Sequence, residues 1–365
     1  MASLAVGDLP GPSECRGLDR EKTTMSGIPF AINGLGRIGR ALLRIAAERP
    51  GLHLVAVNDV APAAELARLI TRDSIHGPFS GGVRAEGHTL WLNGSPVAVF
   101  RETDVAAVPW VGTGARVVVE ATGQATHRHQ AAAHLRGDVE AVVVSALSED
   151  ADFTVCLGVN EAGYDPQKHR VISNASCTTN CLALLIKVLA DRFGVRQALM
   201  NEVHGYTGNQ KLLDGPHSDP RRARAAAVNI IPTTSGAPAA VAELVPGLQG
   251  RLRGLAVRVP TPAVALLDLV ALLEKPVPAT DLMAAFREAA QGELAGLLSV
   301  CDEPLVSTDF VGDPHSAVVD ASLVQDLAGT SEPADLHRVM AWYDNEWGYA
   351  SRLADLLNLI GERLA

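Results

Sequence analysis

A glycine-rich turn near the start of the chain constrains its fold more than any other feature. A short apolar strand, Phe30–Ile32, runs directly into the turn Asn33–Gly39, whose sequence is Asn-Gly-Leu-Gly-Arg-Ile-Gly. A segment with helical character, Ala41–Ala47, follows, and a second buried strand ends at Asp59. This order of strand, glycine turn, helix and strand predicts an α/β fold with a parallel sheet, in which the turn approaches a dinucleotide pyrophosphate.

The carboxylate that follows the second strand indicates which dinucleotide the turn would bind. Asp59 lies 20 residues beyond Gly39, the spacing at which an acidic side chain hydrogen-bonds an adenosine ribose. The free N–H groups at the helix N-terminus also favour an anion. A carboxylate at this position would repel a 2′-phosphate, so the sequence favours NAD over NADP. Asp59 could instead be an ordinary turn or helix-cap residue, and the spacing leaves that alternative open.

The composition bounds the classes of protein that remain. The chain has 365 residues, enough for two domains with separate cores. Its formal net charge of −10 argues against nucleic-acid and membrane-surface partners, and no apolar run approaches the length of a membrane span. The five cysteines are irregularly spaced, which indicates free thiols in a reducing, cytoplasmic compartment. Cys177 and Cys181 have no nearby Cys or His pair to complete a zinc site, so no metal is expected.

The sequence divides into three parts. Residues 1–27 lack periodicity and are expected to be a disordered segment or extension. Residues 28–176 alternate apolar runs with helical stretches, which predicts a Rossmann dinucleotide-binding domain. Residues 177–341 predict a second, α+β catalytic and oligomerisation domain on a mixed, largely antiparallel sheet. The amphipathic segment 349–364 is predicted to pack back onto the first domain as a helix.

Two residues in the second part have the chemistry of a reacting pair. Cys177 opens the helical run Thr178–Phe193, and His204 follows it by 27 residues. A thiol at a helix N-terminus is expected to have its thiolate stabilised, and a neighbouring imidazolium would lower its pKa further. Cys177 could equally be a small buried residue, and His204 a structural one. The spacing alone leaves both alternatives open.

A set of longer motifs resembles one enzyme family. The motifs are Asn33–Gly39, Ser173–Asn180, His204–Thr207, Arg221–Ala226 and Trp342–Tyr349. In their order and spacing, from about Ile28 to the C-terminus, they resemble phosphorylating glyceraldehyde-3-phosphate dehydrogenase.

The resemblance implies a reaction and its two central residues. Cys177 resembles the nucleophile that attacks an aldehyde carbon, and His204 resembles the general base that accepts the hydroxyl proton as hydride passes to the nicotinamide. Inorganic phosphate would then release the Cys177 thioester as an acyl phosphate. The implied substrate is D-glyceraldehyde 3-phosphate, the product is 1,3-bisphosphoglycerate, and the pathway is glycolysis or gluconeogenesis.

The resemblance also implies two anion sites. Thr207, Arg222 and Arg258 would hold the substrate phosphate, whereas Ser176, Thr178, Ser235 and Gly236 would line the site for inorganic phosphate. Arg222 matches the family best among Arg221, Arg222 and Arg224, but the sequence does not separate these three arginines. Arg258 could instead be an outward-facing strand residue.

The cofactor positions of the family fall on eleven residues of this chain. They are Asn33, Gly34, Gly36, Arg37, Ile38, Gly39, Asp59, Arg101, Ser145, Asn345 and Tyr349. Asn345 resembles the amide that fixes the nicotinamide carboxamide, and Tyr349 is expected to pack near it. A homotetramer is implied as well, with the polar segment from Gly205 to about Ala227 between subunits.

Departures from the family pattern leave some alternatives. Ser235 stands where Thr is usual, and Gly215 replaces a bulkier residue that helps to exclude NADP, so NADP remains a secondary possibility. The related erythrose-4-phosphate dehydrogenase is an alternative enzyme, although Tyr206, Thr207 and Asp59 look more like the triose enzyme. A non-catalytic moonlighting binding protein is an alternative of another class, against which the presence of both Cys177 and His204 speaks.

Overall fold

A computed structural model of the chain describes residues 27–326, 328 and 332–364. The extension predicted over residues 1–27 lies outside the described residues except for Gly27. Gly27 belongs to the first strand, where it pairs with Gly51, so the ordered pattern begins one residue earlier than predicted.

The first half of the described chain alternates strands and helices. The strands are β1 (Gly27–Asn33), β2 (Gly51–Asn58), β3 (Arg72–Asp73), β4 (Gly77–Pro78), β5 (Val83–Glu86), β6 (Thr89–Leu92), β7 (Ser95–Phe100), β8 (Val117–Glu120), β9 (Ala141–Val144), β10 (Phe153–Thr154) and β11 (Val171–Ser173). The helices are α1 (Arg37–Glu48), α2 (Ala63–Thr71) and α3 (Arg128–Ala131).

The second half contains longer elements. Its helices are α4 (Cys177–Phe193), α5 (Ala237–Leu244), α6 (Ala279–Gln291) and α7 (Trp347–Leu364). Its strands are β12 (Val195–Gly205), β13 (Ile231–Thr233), β14 (Leu252–Val259), β15 (Ala265–Val277), β16 (Leu298–Cys301), β17 (Ala317–Asp320), β18 (Gln325–Asp326) and β19 (Ala334–Tyr343).

The first sheet is the predicted Rossmann sheet. Its order is β10-β11-β9-β8-β1-β2-β7-β6-β5, and every pair from β10 to β7 is parallel. The strands β8 and β9 are buried throughout, as expected where helices cover both faces of a parallel sheet. The antiparallel strands β6 and β5 extend one edge. The carboxyl ends of β1 and β2 lie side by side, which brings the glycine turn next to Asp59.

The second sheet is mixed, as predicted. Its order is β13-β14-β12-β15-β19-β17-β16, and β18 pairs with β19. The pairs β12–β14 and β16–β17 are parallel, whereas the other five pairs are antiparallel. The long strand β12 lies between β14 and β15, so the residues at its C-terminal end are flanked on both sides.

Two apolar cores meet at one residue. The first core contains α1, α7 and the strands of the Rossmann sheet, and the second contains α4, α6 and the mixed sheet. The partly buried Cys177 packs against both cores. The helix α7 contacts α1 and β1, where the sequence places the C-terminal helix, although it begins two residues earlier than predicted. The domain limits at 28–176 and 177–341 stay a prediction.

No helix among the described residues is both long enough and apolar enough to cross a membrane.

Candidate active site

The turn before Cys177 holds an unusual backbone conformation. Ala175 has a φ of 55°, in the left-handed region that non-glycine residues seldom adopt. Two hydrogen bonds fix it: the Ala175 N–H donates to Ser173 Oγ at 3.1 Å, and the Tyr349 hydroxyl donates to the Ala175 carbonyl at 3.1 Å. Strained backbone persists only where its surroundings over-determine it. The helix α7 therefore helps to set the direction in which the chain enters α4.

Ser176 caps α4 and so fixes the position of Cys177. Its Oγ accepts a hydrogen bond from the Thr179 N–H at 3.0 Å and lies 2.7 Å from Thr179 Oγ1. A serine at this position satisfies one of the free N–H groups of the first helical turn. Cys177 is the first residue of the helix, as the sequence predicts.

The structure brings Cys177 and His204 together. His204 lies near the C-terminal end of β12, and its Nε2 is 3.7 Å from Cys177 Sγ. This separation is within hydrogen-bonding reach for sulfur. The sequence could not establish the contact because the two residues lie on different elements of the second half.

The other ring nitrogen of His204 has two competing partners. Nδ1 lies 2.6 Å from the Gly205 carbonyl oxygen and 2.6 Å from Arg258 Nη1. It can donate to the carbonyl or accept from the guanidinium, but a neutral imidazole cannot do both through one nitrogen. Donation to Gly205 leaves a lone pair on Nε2 facing the thiol, and acceptance from Arg258 puts a proton on Nε2 instead.

The electrostatics of the pair differ from the prediction. Burial, and then the negative charge of Glu202, raises the pKa of the Cys177 thiol to about 11 against the opposing effects of Arg258 and Thr178. Burial and then the Arg258 charge lower the pKa of His204 to about 3. The predicted lowering of the thiol pKa by a neighbouring imidazolium is therefore wrong for this structure. Cys177 is partly buried and His204 is buried, and these pKa shifts favour a neutral thiol beside a neutral imidazole.

Arg258 is not the outward-facing residue of the alternative interpretation. It is half-buried on β14, directly in register with His204, and its Nη1 also lies 3.3 Å from the Gly205 carbonyl. Thr207 follows on the same segment as His204, half-buried, with its N–H 3.3 Å from Gln210 Oε1. Arg258 thus places a guanidinium beside His204, and Thr207 lies three residues beyond His204 on the same segment.

The three clustered arginines differ in their partners. Arg222 donates from Nε to Thr233 Oγ1 at 2.9 Å and from Nη2 to the Thr234 carbonyl at 3.3 Å, which directs it toward Ser235. Arg221 approaches the Pro232 carbonyl. Arg224 pairs with Asp214 at 2.8 Å in an exposed position. Of the three, only Arg222 is half-buried, and its Nε also lies 3.6 Å from Asp219 Oδ2.

A buried carboxylate that sequence reasoning did not single out lies in the same pocket. Glu202 is 2% exposed, and its Oε2 accepts a hydrogen bond from Ser235 Oγ at 3.2 Å. Its Oε1 lies 3.6 Å from Arg258 Nη2. Side chains two apart on a strand share a face, so Glu202 and His204 point to the same side of β12. The alternation of Ala198, Met200, Glu202 and His204 along one face is the sequence signal that would have found it, but β12 was not among the predicted strands.

The remaining phosphate candidates surround this carboxylate. Thr178 is buried in the first turn of α4, with its Oγ1 2.9 Å from the Tyr343 hydroxyl. Gly236 precedes the first residue of α5, and the N–H of Ala237 lies 3.4 Å from Ser235 Oγ. Hydroxyl and N–H donors thus converge from α4 and the start of α5.

The glycine turn has the shape that a pyrophosphate requires. Gly34 has a φ of 94° and donates its N–H to the Asn58 carbonyl at 2.8 Å. A Cβ at Gly39 would collide with the Gly34 carbonyl oxygen, whereas a Cβ at Gly36 would project into open space at the start of α1. That space is the cradle that a pyrophosphate would fill, next to the free N–H groups of α1, including those of Arg37 and Ile38. The residues present therefore fit a dinucleotide.

Asp59 and Arg101 form the neighbouring part of this region. Asp59 Oδ2 accepts from the Leu35 N–H at 2.7 Å and Oδ1 accepts from the Ala61 N–H at 2.9 Å. Asp59 is thus a turn residue, and an ionised carboxylate keeps further acceptor capacity for a ribose. Arg101 donates to the Val60 carbonyl at 3.0 Å. Ser145 directly follows β9, and its N–H donates to the Glu120 carbonyl at 2.9 Å.

Two other cofactor candidates are held by their surroundings. The Arg37 guanidinium is engaged by the carboxylates of Asp73 and Glu346, so the backbone N–H is the group that remains for a cofactor. Asn33 donates from Nδ2 to Glu120 at 2.6 Å, and its Oδ1 accepts from Asn58 Nδ2 at 2.7 Å. The side chains of Arg37 and Asn33 therefore bind protein groups around the glycine turn and stabilise its position.

Asn345 is held by a second strained segment, the turn between β14 and β15. Its Oδ1 accepts from the Val264 N–H at 2.9 Å, which leaves its amide Nδ2 as a donor. Val264 has a φ of 71°, an outlier for a β-branched residue, and its carbonyl accepts from the Gly205 N–H at 3.1 Å. The strained turn between β14 and β15 thus connects Asn345 to the strand that carries His204.

Among the described residues, no cluster of three or more His, Cys, Asp or Glu side chains is arranged to hold a metal ion.

A Rossmann sheet with a pyrophosphate-shaped glycine turn, joined to a thiol–imidazole pair between α4 and the mixed sheet, defines a two-domain nicotinamide-dependent dehydrogenase. Two family models match the chain. Residues 28–128 match the model for "Glyceraldehyde 3-phosphate dehydrogenase, NAD binding domain", and residues 176–345 match "Glyceraldehyde 3-phosphate dehydrogenase, C-terminal domain".

Curated relatives agree with these models over nearly their whole length. The chain is 46% identical over 336 residues to glyceraldehyde-3-phosphate dehydrogenase 1 of Bacillus subtilis, which covers 92% of this chain and 99% of that protein. It is equally similar, with the same coverage, to glyceraldehyde-3-phosphate dehydrogenase of Geobacillus stearothermophilus. It is 44% identical over 338 residues to glyceraldehyde-3-phosphate dehydrogenase 2 of Streptomyces avermitilis, with 92% and 99% coverage.

The chain belongs to the glyceraldehyde-3-phosphate dehydrogenase family. It is an NAD-dependent oxidoreductase, which confirms the predicted class of enzyme and the predicted cofactor. The relatives described above carry the name of the triose enzyme, so the erythrose-4-phosphate alternative is not favoured.

Proposed function

We propose that this enzyme oxidises D-glyceraldehyde 3-phosphate to 1,3-bisphosphoglycerate through a thioester on Cys177. The single observation that carries the proposal is the 3.7 Å contact between Cys177 Sγ and His204 Nε2, with Arg258 beside His204 and Thr178 beside Cys177. The name shared by the relatives supports the choice of substrate and of the glycolytic reaction.

The proposed first step is addition of the thiol to the aldehyde. His204 Nε2 accepts the Cys177 proton as the sulfur–carbon bond forms, and it returns that proton to the oxygen of the hemithioacetal. An anion held by Arg258 would draw the guanidinium away from His204 Nδ1. The Nδ1–H would then donate to the Gly205 carbonyl, which leaves the Nε2 lone pair directed at the thiol.

The proposed second step is oxidation. Bound NAD supplies the hydride acceptor, and the turn Asn33–Gly39 with Asp59 and Asn345 would hold it. His204 accepts the hydroxyl proton as the carbon–hydrogen bond breaks, so the electron pair of the oxygen–hydrogen bond becomes the thioester carbonyl. The Cys177 N–H and the His204 ring are the candidate donors to the developing oxyanion.

The proposed third step transfers the acyl group to inorganic phosphate. A phosphate oxygen attacks the thioester carbon, the carbon–sulfur bond breaks, and the thiolate recovers a proton from His204. Arg258, Arg222 and Thr207 would hold the substrate phosphate, and Ser176, Thr178, Ser235 and Gly236 the incoming phosphate. The convergence of these groups around Cys177 supports the assignment, because phosphate needs several donors and a fork-shaped cation.

The test is a Cys177→Ser substitution in the full chain, assayed for NADH formation with glyceraldehyde 3-phosphate and phosphate. We expect activity to fall by about 10⁴-fold or more, because a serine hydroxyl beside His204 is a far weaker nucleophile. Cys301→Ser is the matched control, since Cys301 is also a free thiol and lies outside the pocket. Undiminished turnover of the Cys177→Ser variant would refute the thioester mechanism.

We also propose a cytoplasmic homotetramer with domains at residues 28–176 and 177–341. The exposed apolar side chains of Leu212, Leu213, Val228 and Ile230 support burial of the segment from Gly205 to about Ala227 and its neighbours between subunits. The free thiols of Cys156, Cys177, Cys181 and Cys301 support a reducing compartment. Light scattering on the purified protein measures the subunit number, and a monomer would contradict the proposed assembly.

A further inference from the structure

The carboxylate of Glu202 lies between the residues proposed to bind the substrate phosphate and those proposed to bind inorganic phosphate. It is 2% exposed and lies on β12, two residues before His204 and on the same face of the strand. Its two oxygens contact residues from both proposed phosphate sites: Oε2 accepts from Ser235 Oγ at 3.2 Å, and Oε1 lies 3.6 Å from Arg258 Nη2.

This arrangement opposes anion binding when Glu202 is ionised. The hydroxyl hydrogen of Ser235 points at the carboxylate, so it is not offered to a phosphate oxygen. The guanidinium of Arg258 is partly neutralised by the same carboxylate. A phosphate in contact with Ser235 and Thr178 would also face a like charge in a buried pocket, where like-charge juxtaposition is costly. Protonation of Glu202 removes all three effects.

The surroundings of Glu202 favour the protonated form of its carboxyl group. Burial raises the pKa of Glu202, while Thr178, Arg258, Ser235 and Arg222 lower it, and burial is the larger effect. The titratable groups that face it are Cys177 and Cys181 on α4 and Tyr343 on β19, and its charge raises the pKa of each. His204 on the same strand is held neutral, so Arg258 and Arg222 are the cations that face the carboxylate.

We propose that Glu202 controls access of inorganic phosphate to the thioester: the pocket binds phosphate when the Glu202 carboxyl is protonated and disfavours it when the carboxyl is ionised. This inference rests on the proposed function, since it concerns the acceptor of the Cys177 acyl group. Glu202 is a specificity-determining residue for that acceptor; because its charge also raises the pKa of Cys177, acylation is measured separately from phosphate transfer.

The test separates acylation from phosphate transfer in the full chain with NAD. Without phosphate, mixing the enzyme with glyceraldehyde 3-phosphate measures the burst of NADH that accompanies acylation. The Michaelis constant for phosphate is then measured between about pH 6 and pH 9 for the wild type and for Glu202→Gln. The glutamine keeps an acceptor for Ser235 but carries no charge. Asp320→Asn is the matched control, a buried carboxylate of the same sheet that bonds Trp342 and Ser322.

We expect the burst to be retained in all three proteins. We expect the Michaelis constant of the wild type for phosphate to rise with pH relative to that of Glu202→Gln, reaching a difference of about tenfold or more at the alkaline end. Asp320→Asn should follow the wild type. A ratio of wild type to Glu202→Gln that stays near one at every pH would overturn the proposal. Absence of a burst in the wild type would instead refute the proposed function itself.

A second measurement needs no variant. Sulfate remains a dianion across this pH range, so any pH dependence of its binding comes from the protein. We expect sulfate to raise the melting temperature of the wild type, and to compete with phosphate, more strongly at the acid end than at the alkaline end. Equal sulfate affinity at both ends would overturn the proposal, even if Glu202→Gln failed to fold.

Discussion

At the scale of single residues, the Arg258 guanidinium faces two ionisable side chains of the proposed site, His204 and Glu202. It lies 2.6 Å from His204 Nδ1, and it faces Glu202 at 3.6 Å. The contact with Arg258 disfavours protonation of His204, because two positive charges would then lie side by side. The contact with Glu202 neutralises part of the guanidinium charge. In the proposed assignment, binding of the substrate phosphate to Arg258 would therefore change the proton affinity of His204 as well as hold the substrate.

A substitution of Arg258 tests this double role. Arg258→Leu should raise the Michaelis constant for glyceraldehyde 3-phosphate by tenfold or more, because a charge-assisted hydrogen bond to phosphate is worth about 1.5–3 kcal/mol. Arg253→Leu, an exposed substitution on the same strand β14, is the control and should leave the constant unchanged. An unchanged constant in Arg258→Leu would remove this residue from the substrate site.

The same variant should change the acid side of the pH profile. Burial first, and Arg258 second, hold the pKa of His204 at about 3. A general base works in its neutral form, so activity is lost as the pH falls through the pKa of His204. Removal of Arg258 raises that pKa, and the acid limb of kcat/KM should therefore move to higher pH. A limb that stays in place would show that the guanidinium does not act on the imidazole.

At the scale of elements, the helix α7 holds the turn that precedes the reactive thiol. The hydroxyl of Tyr349 on α7 donates to the carbonyl of Ala175, whose backbone is left-handed. The helix belongs to the first core, whereas α4 belongs to the second. One hydrogen bond thus connects the C-terminal helix of the chain to the start of α4.

Tyr349→Phe should destabilise the protein by about 1 kcal/mol, because the buried Ala175 carbonyl loses its partner. We also expect a slower NADH burst, since the turn that places Cys177 loses one of the two bonds that fix it. The melting temperature and the burst rate measure these effects. Tyr164→Phe is the matched control: the Tyr164 hydroxyl is buried without a hydrogen-bond partner among the described residues, so its loss should cost nothing. Equal behaviour of both variants would contradict the role of this bond.

The sequence predicted those elements whose signal is local. The glycine turn, α1, β2 and α4 follow from glycine spacing, strand propensity and helical periodicity, whereas the capping role of Ser176 was not predicted. The strands β12 and β19 were not predicted. After Val195, β12 carries the polar pair Arg196 and Gln197, and near its C-terminal end it carries the polar site residues Glu202 and His204, so its apolar alternation is interrupted. Its register depends on pairing with β14 and β15, which a local pattern does not contain.

The same limit applies to the site. Motifs located Cys177 and His204, but the contact between Sγ and Nε2 depends on how α4 packs against the mixed sheet. The raised pKa of Cys177 arises from burial and from Glu202, and neither can be read from the residues next to the thiol. The commitment of the Arg37 guanidinium to Glu346 joins residues 309 positions apart, which no spacing rule anticipates.

At the scale of the whole molecule, a partly buried ionic cluster joins α1 to the segment that precedes α7. Arg37 on α1 binds Asp73 and Glu346, and His76 lies 3.1 Å from Asp344. Burial alone would raise the pKa of Asp73, but hydrogen bonds from Arg37 and from the N–H groups of His76 and Ile75 lower it overall. The cluster lies beside the start of α7 and ties that helix to the glycine turn.

Removal of Arg37 should destabilise the fold in a pH-dependent way. Arg37→Met leaves two largely buried carboxylates without their cation, and we expect a loss of about 2 kcal/mol at neutral pH, less than for a fully buried pair because Arg37 is a third exposed. The Asp73 contribution exists above the unfolded carboxyl pKa of about 3.9 and is lost as the pH falls through the lower folded value. The difference from the wild type should therefore shrink in acid.

Melting temperatures measured from neutral pH down to about pH 3 would check this dependence. Arg287→Met is the control, because its ion pair with Asp302 is exposed and should contribute less than about 1 kcal/mol. A loss in Arg37→Met that is no greater than in Arg287→Met would mean that the cluster does not hold α1 to the segment that precedes α7.

The position of Cys177 in both cores has a consequence for how such a protein can change over evolution. The thiol is placed by a turn that the first core supports and by a helix that the second core surrounds. If either half were exchanged for that of an unrelated dehydrogenase, the replacement would have to reproduce the left-handed backbone at Ala175 and the packing of α4 in the second core. Changes that move the turn at Ala175 and changes that move α4 therefore act on the same thiol, even though each half has its own sheet.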